Sequence, residues 1–314
     1  MAFFGGGFYG GPPSAGGGGG GDSSSIELPG ICGFRLTLES GVPMSTSNQT
    51  AKTTLYFTPD PLSPFCGLIS NYESSAWVVR KFGEVSLSLS GYTAAKPYDI
   101  FAYVSGETLT LESVVWTNGT TRATALATQD SRRVKNAAAD RLYVGTIYTS
   151  AAGQCEFSLS GAAPKLYVSN AFNRRRAVVK VVDASSSWSY DVDAWRQAHG
   201  SADNQFSYVA CDADCLIDVN VTATMETPGA GIFAAVGIGI DSTTVNSAAV
   251  NTREGLGVWQ INGSPQAAYS GRRAAGVHTV AWLEKWISGG NVATFFGNGG
   301  GSDFQSGMLA SVEC

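Results

Sequence analysis

The chain has 314 residues, a length that allows roughly two domains, and only 14% of them are charged. A soluble globular protein ordinarily has about a quarter of its residues charged. Here Ser, Thr, Ala, Gly and Asn fill the balance, which is typical of a neutral, hydroxyl-rich β protein. The formal net charge of −5 argues against a nucleic-acid partner, because such proteins present a basic face.

The chain begins with a tract of glycine and aromatic residues, MAFFGGGFYGGPPSAGGGGGG, over residues 1–21. The tract lacks branched aliphatic side chains and cannot build its own core, and glycine loses the most backbone entropy on ordering. Its aromatic side chains, spaced along a thin backbone, suit pockets on a partner: Phe3, Phe4, Phe8 and Tyr9. We therefore expect residues 1–30 to anchor the protein to a larger assembly. The alternative is a tail that lies on its own body.

The same tract is not a targeting signal. It has neither a basic n-region nor a continuous apolar h-region. The sequence has no apolar run of about 18 residues, the length that a membrane-spanning helix needs. We therefore expect a soluble protein without membrane insertion.

Strand patterns dominate the next part of the chain, over residues 34–38, 53–57, 76–79, 85–89, 98–104 and 109–116. Three prolines, at positions 59, 61 and 64, break the pattern and predict a loop. The segments 98–104 and 109–116 are joined by Ser-Gly-Glu-Thr, which predicts a β-hairpin.

Residues 122–141 are alanine-rich, and some of their apolar side chains recur at helical spacing, which predicts a short helix or a turn. A strand pattern resumes over 142–148. Residues 149–165 are small, polar and dotted with glycine. We expect an internal boundary in this segment, which divides the chain into domains at 31–155 and 156–314.

The second half repeats the strand signals, over 165–173, 177–182, 207–210, 215–224 and 231–240. The segment 231–240 is apolar with three glycines, which predicts a buried strand against a closely packed neighbour. Segments 278–287 and 292–296 flank a Ser-Gly-Gly turn and predict a second hairpin. The predicted fold is all-β, with two β-sandwich or jelly-roll-like domains behind the N-terminal anchor.

Few residues suggest chemistry. Of six cysteines, only Cys211 and Cys215 are close in sequence, and a loop with two buried thiols is favoured over a metal site. Disulfide bonds remain an alternative, because an even number of cysteines, six, can pair completely. His199 and His278 have no local metal partner and are interpreted as structural. The basic run 174–176 is interpreted as a solvated strand edge.

Carboxylates are the candidate catalytic groups in this sequence, because a glycosidase uses a facing pair of them. Seven cluster in sequence: Asp191, Asp193, Asp203, Asp212, Asp214, Asp218 and Asp241. A calcium site built from Asp212, Asp214 and Asp218 is a second alternative, without the spacing of an EF-hand loop. Aspartate also forms ordinary turns, so we expect no catalysis, no metal and no cofactor.

Tryptophans concentrate in the second half. Trp282 and Trp286 share one face of a strand, since residues four apart point the same way, and the core is their expected place. An exposed tryptophan would instead suggest sugar stacking or a subunit interface. Trp188 and Trp195 are the candidates for contact with a glycan.

Several short sequence segments resemble segments of structural proteins from the virions of tailed bacteriophages. They are RLTLESGVP at 35–43, TTLYFTP at 53–59, YDIFAY at 98–103, TNGTTRATAL at 117–126, WRQAHGS at 195–201, FAAVGIGID at 233–241 and HTVAWLE at 278–284. The resemblance covers roughly residues 30–310, carries no catalytic motif, and is to fibre, spike or head-decoration proteins.

The resemblance implies a virion protein, a short tail or head fibre or spike, trimeric and β-rich. Its implied partners are two further copies of itself and another virion protein, either a portal or tail adaptor or the major capsid protein, with host-surface glycan as a third. The apolar length of segment 231–240 also favours a homotrimer, because association buries such surface. The alternatives are a capsid decoration or cement protein and, further off, a polysaccharide-depolymerising tailspike enzyme.

Overall fold

The structure, a computed structural model, describes residues 30–227, 233–254, 261–288, 292–299, 301 and 305–314. The predicted all-β fold is confirmed: the described residues form strands, with one turn of 3-10 helix at Ala198–Gly200. They include no helix long and apolar enough to cross a bilayer.

The strands of the first half are β1 (Phe34–Thr37), β2 (Gln49–Lys52), β3 (Thr54–Pro59), β4 (Leu68–Glu73), β5 (Ala76–Lys81), β6 (Val85–Ser88), β7 (Pro97–Ser105), β8 (Thr108–Val115), β9 (Leu126–Gln129), β10 (Arg132–Lys135), β11 (Ala138–Ala151), β12 (Gln154–Phe157), β13 (Lys165–Leu166) and β14 (Val168–Asn170). Those of the second half are β15 (Arg176–Val182), β16 (Ser187–Tyr190), β17 (Arg196–Gln197), β18 (Gln205–Ala210), β19 (Leu216–Thr222), β20 (Thr224–Thr227), β21 (Phe233–Ile240), β22 (Val250–Asn251), β23 (Arg253–Glu254), β24 (Ile261–Gly263), β25 (Gln266–Arg272), β26 (Gly276–Ser288), β27 (Ala293–Phe296) and β28 (Gly307–Glu313).

Within the described ranges these strands form five sheets. The largest has 14 strands and follows the path β23-β21-β26-β18-β13-β12-β11-β10-β9, with β2, β7, β8, β14 and β17 attached beside it. A five-stranded sheet has the order β15-β28-β19-β25-β22, and a four-stranded sheet has the order β16-β27-β20-β24. The strands β1-β3-β6 and the pair β4-β5 complete the set.

Alternation of side chains explains how the five-stranded sheet covers the core. In β15, Ala177, Val179 and Val181 are buried, while the residues between them are exposed. Successive side chains of a strand point to opposite faces, so one face packs inward and the other meets solvent. Among the described residues, the outer face of this sheet is therefore exposed.

One large apolar cluster joins both halves of the chain. It contains the stacked rings of Phe34 and Phe57, 4.8 Å apart, together with Trp282 and Phe295 from the second half. The strand β12 spans the predicted boundary at residue 155 and pairs with both β11 and β13. The division into two domains stays a prediction, and hydrogen bonds cross the place where it was drawn.

The first predicted hairpin is confirmed. β7 pairs with β8 from Tyr98 to Ser105, and the hairpin closes at Ser105 and Thr108. The second predicted hairpin is wrong, because β26 pairs with β21 and β18, whereas β27 lies in another sheet between β16 and β20. Pairing with distant strands outweighs the local turn signal there.

Of the short helix or turn predicted within residues 122–141, the turn is confirmed between the paired strands β9 and β10, and the helix is wrong. Asp130 and Ser131 adopt left-handed φ angles of 49° and 63° and connect β9 to β10. Both residue types suit a turn, since their short polar side chains bond to nearby backbone. The strands β11 and β12 likewise occupy part of the segment 149–165 that was expected to be a connection.

The glycine-bearing strand predicted at 231–240 is confirmed over its described part, β21, where all residues after Phe233 are buried. A Cβ on Gly239 would lie 2.0 Å from the carbonyl oxygen of Ser242, so the neighbouring backbone requires glycine. β21 is paired on both sides, by β23 and β26. Its apolar surface is covered within the chain, which removes one argument for a trimer.

Candidate functional site

A buried carboxylate organises the region where β16, β17 and β26 meet. Glu284 is fully buried, and its oxygens accept hydrogen bonds from the Trp188 indole at 2.6 Å and from Arg196 Nε at 2.8 Å. The backbone N–H of His199 donates to the same carboxylate at 3.1 Å. Each donor satisfies part of a charge that would otherwise be costly to bury.

His199 is held beside this network. Its ring stacks on Trp188 with centroids 4.8 Å apart, and its Nδ1 lies 3.0 Å from a carboxylate oxygen of Asp183. Its φ of 58° is left-handed, which is uncommon for a residue other than glycine. Ser185 Oγ lies 3.4 Å from the same Nδ1. A hydrolytic triad needs the serine and the carboxylate on opposite ring nitrogens, so these three residues do not form one.

The two carboxylates respond differently to this environment. Burial raises the pKa of Glu284, and the hydrogen bonds from Trp188 and Arg196 only partly oppose it. At Asp183, burial also raises the pKa, but hydrogen bonds from Asn204, Ser185 and His199 outweigh it, so the pKa is lowered. Asp183 is therefore the stably ionised group, and it fixes the orientation of the His199 ring.

Sequence reasoning missed this network, although one signal was present. Glu284 lies between Trp282 and Trp286 on a single face of β26. A carboxylate on the buried face of an apolar strand predicts a buried donor or cation. The partner Arg196 is 88 residues away, so only the fold identifies it.

The two tryptophans proposed as glycan contacts have different surroundings. Trp188 is only 7% exposed and lies between His199 and Trp282, so it is not a stacking platform, which corrects that prediction. Trp195 is half-buried and lines an open groove together with Lys285 and Asn251. As expected, Trp282 is in the core and Trp286 packs against it.

The clustered aspartates are held by separate partners. Asp218 accepts from Ser270 at 2.6 Å and pairs with Arg176 at 3.1 Å. Asp241 pairs with His278 at 2.9 Å and with Arg273 at 3.2 Å. Asp191 and Asp203 are exposed. Each of these carboxylates has its own surroundings.

Asp212, considered for calcium, is buried and forms ion pairs with Arg174 and with Arg133, the latter at 3.4 Å. Its other oxygen accepts from the backbone N–H of Asp214, which is a turn contact. Across the part of the chain that the structure describes, no three His, Cys, Asp or Glu side chains form a group that could hold a metal ion.

His278, Cys211 and Cys215 all have buried side chains. His278 is buried, and its Nε2 lies 2.8 Å from the carbonyl oxygen of Ala274. Cys211 and Cys215 are buried in the loop between β18 and β19, as predicted, and both are free thiols. Burial raises the pKa of Cys211.

The basic run 174–176 reaches an edge, because β15 is the outer strand of its sheet. Only Arg176 is mainly solvated; Arg174 pairs with Asp212, and Arg175 pairs with the buried Asp60. The interpretation as a solvated edge is therefore wrong for two of the three arginines, which bind carboxylates from other elements.

The outer face of the five-stranded sheet carries exposed aliphatic side chains. Val178, Leu309 and Val250 are 56%, 53% and 67% exposed. A groove of about 470 Å³ crosses this face, and Gly307 and Ala268 are among its lining residues. The predicted anchor residues Phe3, Phe4, Phe8 and Tyr9 lie outside the described residues.

No family model matches the chain, and no curated protein matches it in sequence. Against solved structures, 87% of the chain aligns with 76% of a chain in the structure of infectious bursal disease virus Gx strain, at 10% identity and a TM-score of 0.25. The subviral particle of infectious bursal disease virus VP2 gives 92% and 81% coverage, 13% identity and a TM-score of 0.20.

A third likeness is to the insecticidal delta-endotoxin Cry8Ea1 from Bacillus thuringiensis, with coverage of 90% of this chain and 51% of that one, 10% identity and a TM-score of 0.19. Scores this low carry no argument about function. The resemblance to phage virion proteins stays a prediction.

Proposed function

We propose that the protein is a structural component of a bacteriophage virion, a short fibre or spike that residues 1–30 anchor to the particle. The observation that carries the proposal is the division of the chain. A glycine-aromatic tract that cannot form a core precedes a β body whose apolar cluster includes residues from both halves. This division suits a component that attaches at one end and displays a rigid body at the other.

The test is removal of the anchor. Deletion of residues 1–21 is expected to leave folded β protein that no longer enters particles, because the β body retains its own core. Incorporation is measured by quantitative mass spectrometry of purified particles, with circular dichroism as the check on folding. Normal incorporation of the folded, truncated chain would contradict the proposal. A map of intact particles distinguishes a fibre or spike from a decoration protein on the capsid.

We further propose that copies meet as a trimer through the outer face of the five-stranded sheet. Exposed Val178, Leu309 and Val250 supply apolar area. At one end of this face, Arg176 lies beside Asp218 and Glu313, so both signs of charge are present and like charges need not oppose each other.

Leu309→Glu is expected to convert the trimer to monomer, because a carboxylate would be desolvated in the contact. The measurement is mass by light scattering at micromolar concentration. Val245→Glu is the matched control, since Val245 is 60% exposed and lies outside this sheet. A wild-type protein that is monomeric under these conditions would overturn the proposed trimer.

A further inference from the structure

We infer that the groove beside Trp195 binds a neutral pyranose sugar, with the indole as stacking surface and the Asp193–Lys285 pair as hydrogen-bonding group. The inference rests on the proposed attachment role for the source of the sugar, a glycan on the host surface. The choice of a neutral pyranose as ligand, however, rests on the residues of the groove alone.

The groove has the size and lining of a small-molecule site. Its volume is about 380 Å³, and its lining residues are Trp195, Ala235, Asn251, Lys285 and Ile287. Ligand sites in proteins are of roughly 300–1,000 Å³ and combine apolar or aromatic walls with a few polar groups. A sugar ring presents a C–H face to an aromatic wall and hydroxyl groups to the polar residues at its edge.

The Trp195 ring is held in place before any ligand arrives. It packs against β21 at Gly237, where an added Cβ would lie 2.9 Å from a ring carbon of Trp195. Lys285 Nζ lies 6.0 Å from the indole centroid, at the limit of a cation–π contact. A fixed ring loses little conformational entropy on binding, which favours affinity.

The polar groups of the groove are paired but accessible. Lys285 Nζ lies 2.8 Å from Asp193 Oδ1, and the Asp193 side chain is 60% exposed. The ammonium has three donors and the carboxylate several acceptor sites, so both retain capacity for vicinal hydroxyls. The exposed Asn251 adds an amide.

The charges at the groove distinguish neutral sugars from acidic ones. Asp193 neutralises Lys285, and the exposed Asp191 adds negative charge nearby in the chain. Among the lining residues that the structure describes, the cation is Lys285, which Asp193 already pairs, so a carboxylated sugar would meet these carboxylates without a free positive partner there. The groove therefore favours a neutral pyranose over an acidic one.

The experiment is saturation-transfer NMR on the purified full chain, titrated with the methyl α-pyranosides of glucose, galactose, mannose and N-acetylglucosamine. Binding of at least one is expected, with a Kd of about 0.1–10 mM. The methyl glycoside of N-acetylneuraminic acid is the acidic probe and is expected to bind at least about tenfold more weakly.

Trp195→Ala is expected to weaken binding at least about tenfold. Trp77→Ala is the matched control, because Trp77 is also half-buried with a cation, Arg132, over its ring, but lies elsewhere in the fold. If the Trp195 variant does not fold, Lys285→Met and Asn251→Ala replace it, with the same expected direction.

Absence of binding by all four neutral probes at about 50 mM, well above the expected Kd, would overturn the inference. So would equal binding by the Trp195 and Trp77 variants, or preference for the acidic probe. Failure here is distinct from failure of the virion proposal, since the latter is measured by incorporation of the truncated chain into particles.

Discussion

Glu284 is a fully buried carboxylate in the middle of an apolar strand. Three donors from other elements converge on it: the Trp188 indole, the Arg196 guanidinium and the His199 N–H. Arg196 reaches solvent, since its side chain is 34% exposed, whereas Glu284 does not. Because Arg196 keeps part of its hydration, we expect the loss of every acceptor at position 284 to cost more than the loss of its charge alone.

Replacement of Glu284 tests this distinction. Glu284→Ala leaves three donors without their acceptor and is expected to lower the free energy of unfolding by about 3–5 kcal/mol. Glu284→Gln keeps one oxygen as acceptor but places its amide N–H₂ against a donor that the second carboxylate oxygen had satisfied, so it is expected to cost about 1–3 kcal/mol. Urea denaturation measures both, with Glu73→Gln in the surface pair with Arg80 as a control that is expected to change stability little. Equal losses for the two Glu284 variants would contradict the explanation.

The raised pKa of Glu284 gives this comparison a pH dependence. Between the ordinary value near 4.5 and the raised value, the folded state binds more protons than the unfolded state. The free energy of unfolding contributed by this group therefore falls as pH rises through that interval. The Gln variant does not titrate, so the advantage of the wild type over it should shrink as pH rises above about 4.5.

At the scale of elements, β21 shows how a strand is shaped by what lies against it. Its glycines face the Asn246 side chain and Trp195 at Gly237, and the Ser242 carbonyl at Gly239. The sequence pattern predicted this close approach from the repeated glycines alone.

Gly239→Ala is expected to lower the free energy of unfolding by about 1–3 kcal/mol, because the added methyl group forces the Ser242 backbone to move. Gly83→Ala is the matched control. Gly83 is exposed, has no atom near its Cβ position and does not have a left-handed φ, so a change within about 0.5 kcal/mol is expected. Chemical denaturation of both variants makes the comparison, and a neutral Gly239 variant would contradict the packing explanation.

Local patterns predicted those elements whose partners are near in sequence. The β7–β8 hairpin followed from two alternating segments with a short polar connection between them. The hairpin predicted between β26 and β27 does not form. β26 pairs instead with β21 and β18, which begin tens of residues earlier in the chain, despite the Ser-Gly-Gly turn that follows it. The same limit applies to the site. Trp195 could be proposed as a glycan contact from its residue type. The burial of Trp188 and the contact between Asp183 and His199, however, depend on the fold.

At the scale of the whole molecule, the cysteines report on the integrity of the core. All six are free thiols, and five of them are buried, whereas Cys66 is exposed. Burial raises the pKa of Cys32 and of Cys155 to about 12 and that of Cys314 to about 11. A thiol of that kind is both inaccessible and un-ionised at neutral pH, and it does not act as a nucleophile.

Reaction of the native protein with Ellman's reagent is therefore expected to modify one thiol rapidly, and all six after unfolding in guanidinium chloride. Cys66→Ser should abolish the rapid phase and leave the total at five of the original six. Two or more rapidly reacting thiols in the native wild type would show that the buried set is open to solvent.

The first strand is completed by residues from much later in the chain. Leu36 exchanges hydrogen bonds with the Asn170 side chain, 134 positions away, and Arg35 donates to the carbonyl oxygen of Cys314. During synthesis on a ribosome, β1 must therefore wait for its final partners until residue 314 has emerged. Such distant pairings slow folding, since the entropy of loop closure precedes the gain from contact. We expect refolding over milliseconds to seconds or longer, and an interval in which incomplete chains need protection from aggregation.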